Sequence, residues 1–548
     1  MSYGLEDILI VQKGRFPEYS NNRVIGCINL KKNINNVGLD SSMRLRFRWM
    51  DIFALALVAL CVYTVQGIAW PLSPGRDFSS YVTYFVQMWQ SELGYPNTML
   101  WRTPITPLFI GLINRIGGAV LLEISMGVLY AIAIICSYLI GAHFNRISGL
   151  FAALFLLCFP AYGHLFHELS SDSIFACAFV CWALFIINTS NELKYTNYLL
   201  HGLIVFLLVM IRPSSQLYVI FSIMPLCYLG YSIRRRLLCS ALFLLVFFGL
   251  ISSYKTYNFI RYDNFTVTHG SAAFIPLKKV MVHYRLVNLD NGPNTKKMAE
   301  AIEEHLLAHE PYLSYGVNKK LAIENGGSRV LYDMKVLSDE FFGKDSNYLI
   351  LRKIACEAVI SHPYKFLRSM IYDTYTIFFN NPVFDQTIVK KEIYQNQLDE
   401  GTIRRKISAR LHDTTLYEDV IPISYYELKM YEDEDSIANI LKLRRSIESE
   451  DIRIPQRDGD GLLAKIFNNI SNTYPAMAYL LVISLLILPG FKTKRSYALF
   501  FVIVLSLLSI LIPSLLLNQV WQYRQPFDAI FITAAVIAII RGGSKFKG

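Results

Sequence analysis

Six charged residues fall in the short turns on one side of a series of apolar runs: Asp77, Arg102, Glu168, Asp172, Arg212 and Arg524. An ionised carboxylate at a bilayer edge is expensive without partners or a task, so Asp77 is the first candidate for chemistry. A carboxylate held there can accept the proton of an attacking hydroxyl; it can equally cap the helix that the pattern starts at Phe78. Arg102, in Trp101-Arg102-Thr103-Pro104, and Arg524, in Tyr523-Arg524-Gln525-Pro526, stand beside aromatics and prolines, and Arg212 precedes Pro213. Planar guanidinium groups suit two-point contact with phosphate oxygens. The competing role for each is snorkelling toward lipid headgroups.

A second cluster lies in His164-Leu165-Phe166-His167-Glu168-Leu169-Ser170-Ser171-Asp172. On a helix His164 would share a face with Glu168, and Glu168 with Asp172, a set suited to a divalent cation or a hydrogen-bonded acid pair. The same residues could simply cap the next helix. His-Glu-x-x-His, a Walker A loop and a dinucleotide fingerprint are all missing. Asp458-Gly459-Asp460-Gly461 lacks the downstream ligands of a calcium loop and reads as a turn. With no nucleotide motif, an activated donor is expected to arrive on a membrane lipid.

The elements that must position these groups follow from composition. The 548 residues are 53% hydrophobic and 17% charged, with a positive mean hydropathy, which marks a polytopic membrane protein. The apolar blocks suit helices crossing about 30 Å of hydrocarbon. Ten spans are expected: 50–70, 119–141, 149–163, 172–189, 197–212, 215–231, 237–254, 474–490, 496–518 and 526–541. Run 105–116 is too short to cross alone and reads as a re-entrant or interfacial piece, or as one more span pairing with a neighbour.

The net charge of +11 belongs to the alternate turns and the two ends. His143 and Arg146, Lys194, Arg234 to Arg236, Lys492 with Lys494 and Arg495, and Arg541 all fall on one side, as the positive-inside rule requires. No basic stripe with interleaved aromatics is present, so nucleic acid is not an expected partner. Residues 1–48 read as a cytoplasmic tail ending in Arg44, Arg46 and Arg48. Residues 49–254 form a transmembrane module that includes an outside loop at 71–118. Residues 255–473 read as a mostly helical extracytoplasmic insert, and 474–548 as C-terminal spans with a short tail. In the first outside loop, Phe78, Tyr81, Val82, Phe85 and Trp89 recur at helical spacing, as in a helix lying in the interface. The pattern from Ser361 to Phe378 suggests another amphipathic helix lying back on the bilayer. Arg404-Arg405-Lys406 and Glu432-Asp433-Glu434-Asp435 are charge runs expected to face water. Of nine cysteines, seven lie in apolar runs, where a thiol packs as a small hydrophobe, so neither a disulfide framework nor a cysteine zinc site is expected.

Four places carry a resemblance to a known family: Asp77 with Tyr81; Arg102-Thr103-Pro104-Ile105-Thr106-Pro107-Leu108; Gly149-Leu150-Phe151 through Pro160 and on to His167-Glu168-Leu169-Ser170-Ser171-Asp172-Ser173-Ile174-Phe175; and Tyr523-Arg524-Gln525-Pro526-Phe527-Asp528. In these the chain resembles the C-class glycosyltransferases, integral-membrane enzymes related to protein O-mannosyltransferases and bacterial aminoarabinose transferases. The resemblance covers the first 250 or so residues and the last span. It implies an all-α polytopic fold and transfer of a sugar, usually with inversion, from a polyprenyl-phosphate donor to a glycan, lipid or protein outside the cytoplasm. Asp77 matches the family's first-loop catalytic aspartate, and Arg102 and Arg524 match positions near the lipid phosphate. Two departures stand out: the first loop has no Asp-Glu pair, and the polar insert precedes the last three spans. They leave metal use and acceptor class open. The competing functions are an O-antigen polymerase or ligase and a transporter or lipid flippase; the last predicts charged or broken helices at mid-membrane. A bacterial inner membrane, with the chemistry on its outer side, is the expected setting.

Overall fold

In the computed structural model the described residues are 41–75, 77–89, 100–343, 346–381, 420–436, 438, 442, 445, 459–516 and 523–545. Most of the expected tail, the run 404–406, Trp521 and Asp458 lie outside them. Among the described residues seven helices are long and apolar enough to cross a membrane: Trp49–Ala69, Ile105–Ala142, Ser171–Thr189, Ile233–Tyr262, Gly461–Phe491, Lys494–Ile512 and Gln525–Gly542. An eighth span is a bent pair, Arg146–Leu157 with Pro160–His167, turned through 69°. The chain is therefore an all-α, multi-pass membrane protein.

By length and apolar character alone these account for seven or eight of the ten expected spans, and the other two are a short α-helix and a 3-10 helix that run between the same two ends of the bundle. Tyr195–Ile211 has only 17 residues. Pro213–Cys227, with proline at its start and at Pro225, winds as a 3-10 helix of 15 residues. At about 2.0 Å per residue such a helix reaches as far as about twenty residues of α-helix, an unusually long run of this winding. Run 105–116 is the first arm of Ile105–Ala142, which breaks at Gly117 and Gly118, where Gly118 takes a φ of 63° that a side chain would resist.

The expected basic turns meet at one end of the bundle. Arg495 Nη1 donates to the His143 carbonyl at 3.0 Å, Lys494 Nζ to that of Asn191 at 3.0 Å, and Arg541 lies over the Phe144 and Phe491 rings. Near this end Gly141 and Gly149 let Ile105–Ala142 and Arg146–Leu157 touch backbone to backbone; a Cβ on Gly149 would stand 2.5 Å from the Tyr138 carbonyl oxygen.

Among the insert's helices, Pro293–His305, Gly327–Phe342 and Leu349–Ser361 close on a core that includes Met298, Ile302, Leu331, Met334, Leu337 and Leu351. Glu432 to Asp435 are exposed, as charge runs should be. The insert also grips the loop between the first two spans: the His269 amide donates to the Leu100 carbonyl at 2.8 Å, and Trp101 meets Phe274 edge-on at 5.3 Å, under the Lys335 ammonium at 4.5 Å. Burial holds that ammonium down at about 8. Arg102 is the next residue.

Candidate active site at the rim

Two short strands join the loops that carry the candidate residues. Ser73 and Pro74 (β1) pair in parallel with Glu168 and Leu169 (β2). Gly75 lies so flat on this second loop that a Cβ would stand 2.8 Å from the Leu169 carbonyl oxygen. The chain then reaches Asp77, which is left-handed at φ 66° and precedes the helix Phe78–Gln87 (α1) without a side-chain cap. A non-glycine residue in that conformation costs about 1 kcal/mol or more, a strain often found at working sites. The backbone does the capping instead: the Asp77 carbonyl accepts from the Ser80 and Tyr81 amides and from Ser80 Oγ at 2.7 Å.

The Asp77 carboxylate thereby points elsewhere, to Arg102 Nη2 at 2.8 Å. Arg102 Nε also donates to Ser80 Oγ at 3.0 Å, and its guanidinium lies over the Tyr81 ring. The capping role open to Asp77 is thus filled by its main chain, and its side chain is paired with a cation that a ligand can take over. The helix α1 turns the apolar face expected in the interface inward: Phe78, Tyr81, Val82 and Phe85 are buried, and Gly111 makes room for the Phe85 ring.

A second acid–base pair stands beside the first. The helix Ser171–Thr189 (α2) is capped by Ser170, whose hydroxyl accepts from the Asp172 amide at 3.3 Å. Asp172 itself is free to pair with Arg212 Nη1 at 3.0 Å, and Arg212 lies over the rings of Phe175 and Tyr523. Tyr81 connects the two pairs. Its hydroxyl hydrogen-bonds Ser171, burial pushes its phenol up, and Arg102 pulls it part of the way back. Glu168 completes the rim: burial, then the charge of Asp172, lifts its carboxyl to about 7, so it exchanges a proton near neutrality.

Of the two histidines only His164 approaches this group. His164 Nδ1 stands 4.0 Å from Glu168, and His167 is stacked flat on Tyr63 at 4.1 Å between ring centroids. Asp172 is taken by Arg212. No group of three or more His, Cys, Asp or Glu side chains is placed to hold a metal ion among the described residues, so the cation reading of the 164–172 cluster has no ligand set there.

Arg524 differs from the other two arginines. It is fully buried, paired through Nε with Asp528 at 3.0 Å, and it donates to the carbonyls of Ile377 at 2.8 Å and Asn380 at 3.1 Å. A guanidinium sealed this way meets no phosphate without first giving up Asp528 and both carbonyls. The expected phosphate contact is corrected to a structural tie between the last span and the insert. Its neighbour Tyr523 is what reaches the rim.

Sequence reasoning did not reach Ser80, which braces Arg102, and quoted Ser171 and Tyr523 without the roles they take against Tyr81 and Arg212. It also passed over Glu123, a carboxylate inside an apolar run whose oxygen would stand 3.9 Å from a Cβ on Gly67, beside the His167 ring. A charge in a span was signal enough to single it out.

No family model and no curated protein matches the chain. Among solved structures, it is similar to the Archaeoglobus fulgidus oligosaccharyltransferase in the apo form, at 12% identity and a TM-score of 0.34 over 91% of this chain and 51% of that one. The chain thus spans about half the length of that protein. It is also similar to ArnT from Cupriavidus metallidurans bound to undecaprenyl phosphate, at 13% identity and a TM-score of 0.30 over 80% of each chain. Both likenesses are remote and describe a general helical outline.

Proposed function

We propose that this chain is a C-class membrane glycosyltransferase that moves a sugar from a polyprenyl-phosphate donor to a glycan, lipid or protein acceptor, with inversion. The work is done at the rim opposite the basic turns, on the non-cytoplasmic side and in a bacterial inner membrane. What supports the reading most is the geometry of Asp77: a strained, half-exposed carboxylate held by Arg102 at 2.8 Å, with a second such pair bridged to it through Tyr81 and Ser171.

In the resting site Asp77 and Arg102 neutralise each other. A donor phosphate binding Arg102 competes with the carboxylate and releases it, so arrival of donor arms the base. Asp77 then takes the proton of the acceptor hydroxyl as that oxygen bonds to the anomeric carbon, and the bond from that carbon to the phosphate oxygen breaks. The electron pair leaves with the polyprenyl phosphate, whose charge Arg102 and Arg212 stabilise. Tyr81 holds the two pairs in register.

The direct test replaces Asp77 with Asn and follows transfer of labelled sugar from polyprenyl-phosphate donor in membranes. A loss of about 10²- to 10⁴-fold is expected from removal of a general base. Unchanged transfer at normal expression overturns the mechanism, and transfer of whole glycans in place of single sugars would move the chain to the polymerase or ligase class.

A further inference from the structure

We propose that the insert helix Pro363–Phe379 (α3) is seated in the outer leaflet, with its tyrosine-rich face among anionic phospholipids. The helix is apolar on two faces, where a water-facing element needs one. Its inward face carries Phe366, Ile377 and Phe378, and with them Asp373, buried against Lys279 Nζ at 3.1 Å and accepting from the Tyr284 hydroxyl. Its outward face carries Tyr364, Leu367, Ile371 and Tyr375, spaced three and four residues apart on one side of the helix and exposed to 76%, 48%, 59% and 54%. A helix in water puts its charge out and its apolar stripe in. A second apolar stripe turned outward is stable where the outer medium is hydrocarbon and headgroup, and tyrosine is the side chain favoured at that depth.

Its attachment fixes that depth. Arg524, at the rim end of the last span, holds the carbonyls of Ile377 and Asn380, and Asn381 Nδ2 donates to the carbonyls of Ser471 and Tyr474, both at 3.0 Å. Phe379 meets Tyr479 edge-on at 5.9 Å. Tyr479, Val482 and Leu486 form an exposed apolar face of the span Gly461–Phe491, so the stripe on α3 continues a surface that faces lipid.

The charge selects the lipid. Lys365 and Arg368 on α3, and Arg352 and Lys353 on the preceding helix, are exposed. The neighbouring carboxylates are otherwise occupied: Asp373 by Lys279, Glu357 by the amides of Asn294 and Thr295. Long cationic side chains beside an apolar stripe reach up to headgroup phosphates, and a net positive rim favours an anionic leaflet.

The test uses the full chain in vesicles of phosphatidylethanolamine with phosphatidylglycerol, carrying the photo-crosslinker benzoylphenylalanine in place of Ile371, in place of Tyr375, or in place of Phe341 as a control exposed elsewhere on the insert. Lipid adducts at least tenfold more abundant from 371 or 375 than from 341 are expected; the aromatic exchange at 375 guards against a fold defect at 371. Yields no higher than the control overturn the proposal, as do adducts to a second copy of the chain or to another protein. Replacing phosphatidylglycerol by phosphatidylcholine, or making Lys365→Gln with Arg368→Gln, should lower the yield at least threefold. Equal yields overturn the anionic preference. None of these readouts depends on sugar transfer.

Discussion

Asp77 with Arg102 and Asp528 with Arg524 are the same chemical pair built twice, and the surroundings give them opposite duties. The first is 38% and 26% exposed; the second is sealed at 0% for both side chains. An exposed pair contributes about 0–1 kcal/mol to stability and opens readily for a ligand. A sealed pair is costly to break, because the survivor is left as a buried charge. Charge type and position at the rim therefore say little about function until access is known. The pair of Asp172 and Arg212, at 15% and 12%, stands between the two and, through Tyr81, works with the first.

The largest expected effect separates these roles. Arg524→Met should destabilise the protein by about 3–5 kcal/mol, read as a lowered melting transition in detergent. A variant that melts like the parent but no longer transfers sugar would make Arg524 a ligand for phosphate and end the contrast. Next, Arg102→Gln should cost about 10²- to 10³-fold in turnover, the scale of one lost charge-stabilising donor, while stability moves by less than about 1 kcal/mol. Arg102→Lys should recover only part of the activity, because an ammonium cannot make the two-point contact. Arg212→Gln should fall lower on the same scale, about 10- to 100-fold, as expected for one charged hydrogen bond. A turnover unchanged by Arg212→Gln would detach the second pair from the chemistry.

A last test sharpens the comparison with a buried carboxylate that has no cation partner among the described residues. Asp333 accepts from the Tyr312 hydroxyl and from the Tyr425 and Tyr426 amides, yet burial lifts it to about 7. The folded state thus holds a proton that the unfolded chain releases near 4. Stability from this group is complete below that lower value and is lost as pH rises through about 7. Melting temperature measured from pH 4 to pH 8 should show this decline, and Asp333→Asn should flatten it; an equal slope in the variant would refute the assignment.

Much of this architecture was legible in the chain, and the exceptions have causes. Apolar length and the placement of Arg234 to Arg236, Lys494 and Arg495 give the membrane character and the two ends, because both are properties of composition. The winding of the spans was not legible, since prolines at 213 and 225 turn one run into a 3-10 helix and Pro160 starts a new helix direction. Asp77 and Arg102 could be singled out separately, but their pairing depends on the left-handed turn at Asp77, which no local pattern announces. The bond between Tyr81 and Ser171 spans ninety positions and depends on how the two loops join. For Arg524 the sign was present and went unread: Asp528 stands four residues later, the spacing of an ion pair within one helix.

The 69° bend after Leu157 has a consequence for biogenesis. A helix interrupted in hydrocarbon exposes peptide groups that water cannot reach, and something in the protein must satisfy them. Here the partners are distant in the chain: the Tyr474 hydroxyl donates to the Phe155 carbonyl at 2.5 Å, and Gln525 Nε2 donates to the Ala161 carbonyl at 2.8 Å. Newly made N-terminal spans therefore reach the bilayer with this elbow unfinished, and the nascent protein gains its final shape only when the last segments, synthesised some three hundred residues later, come in to close it.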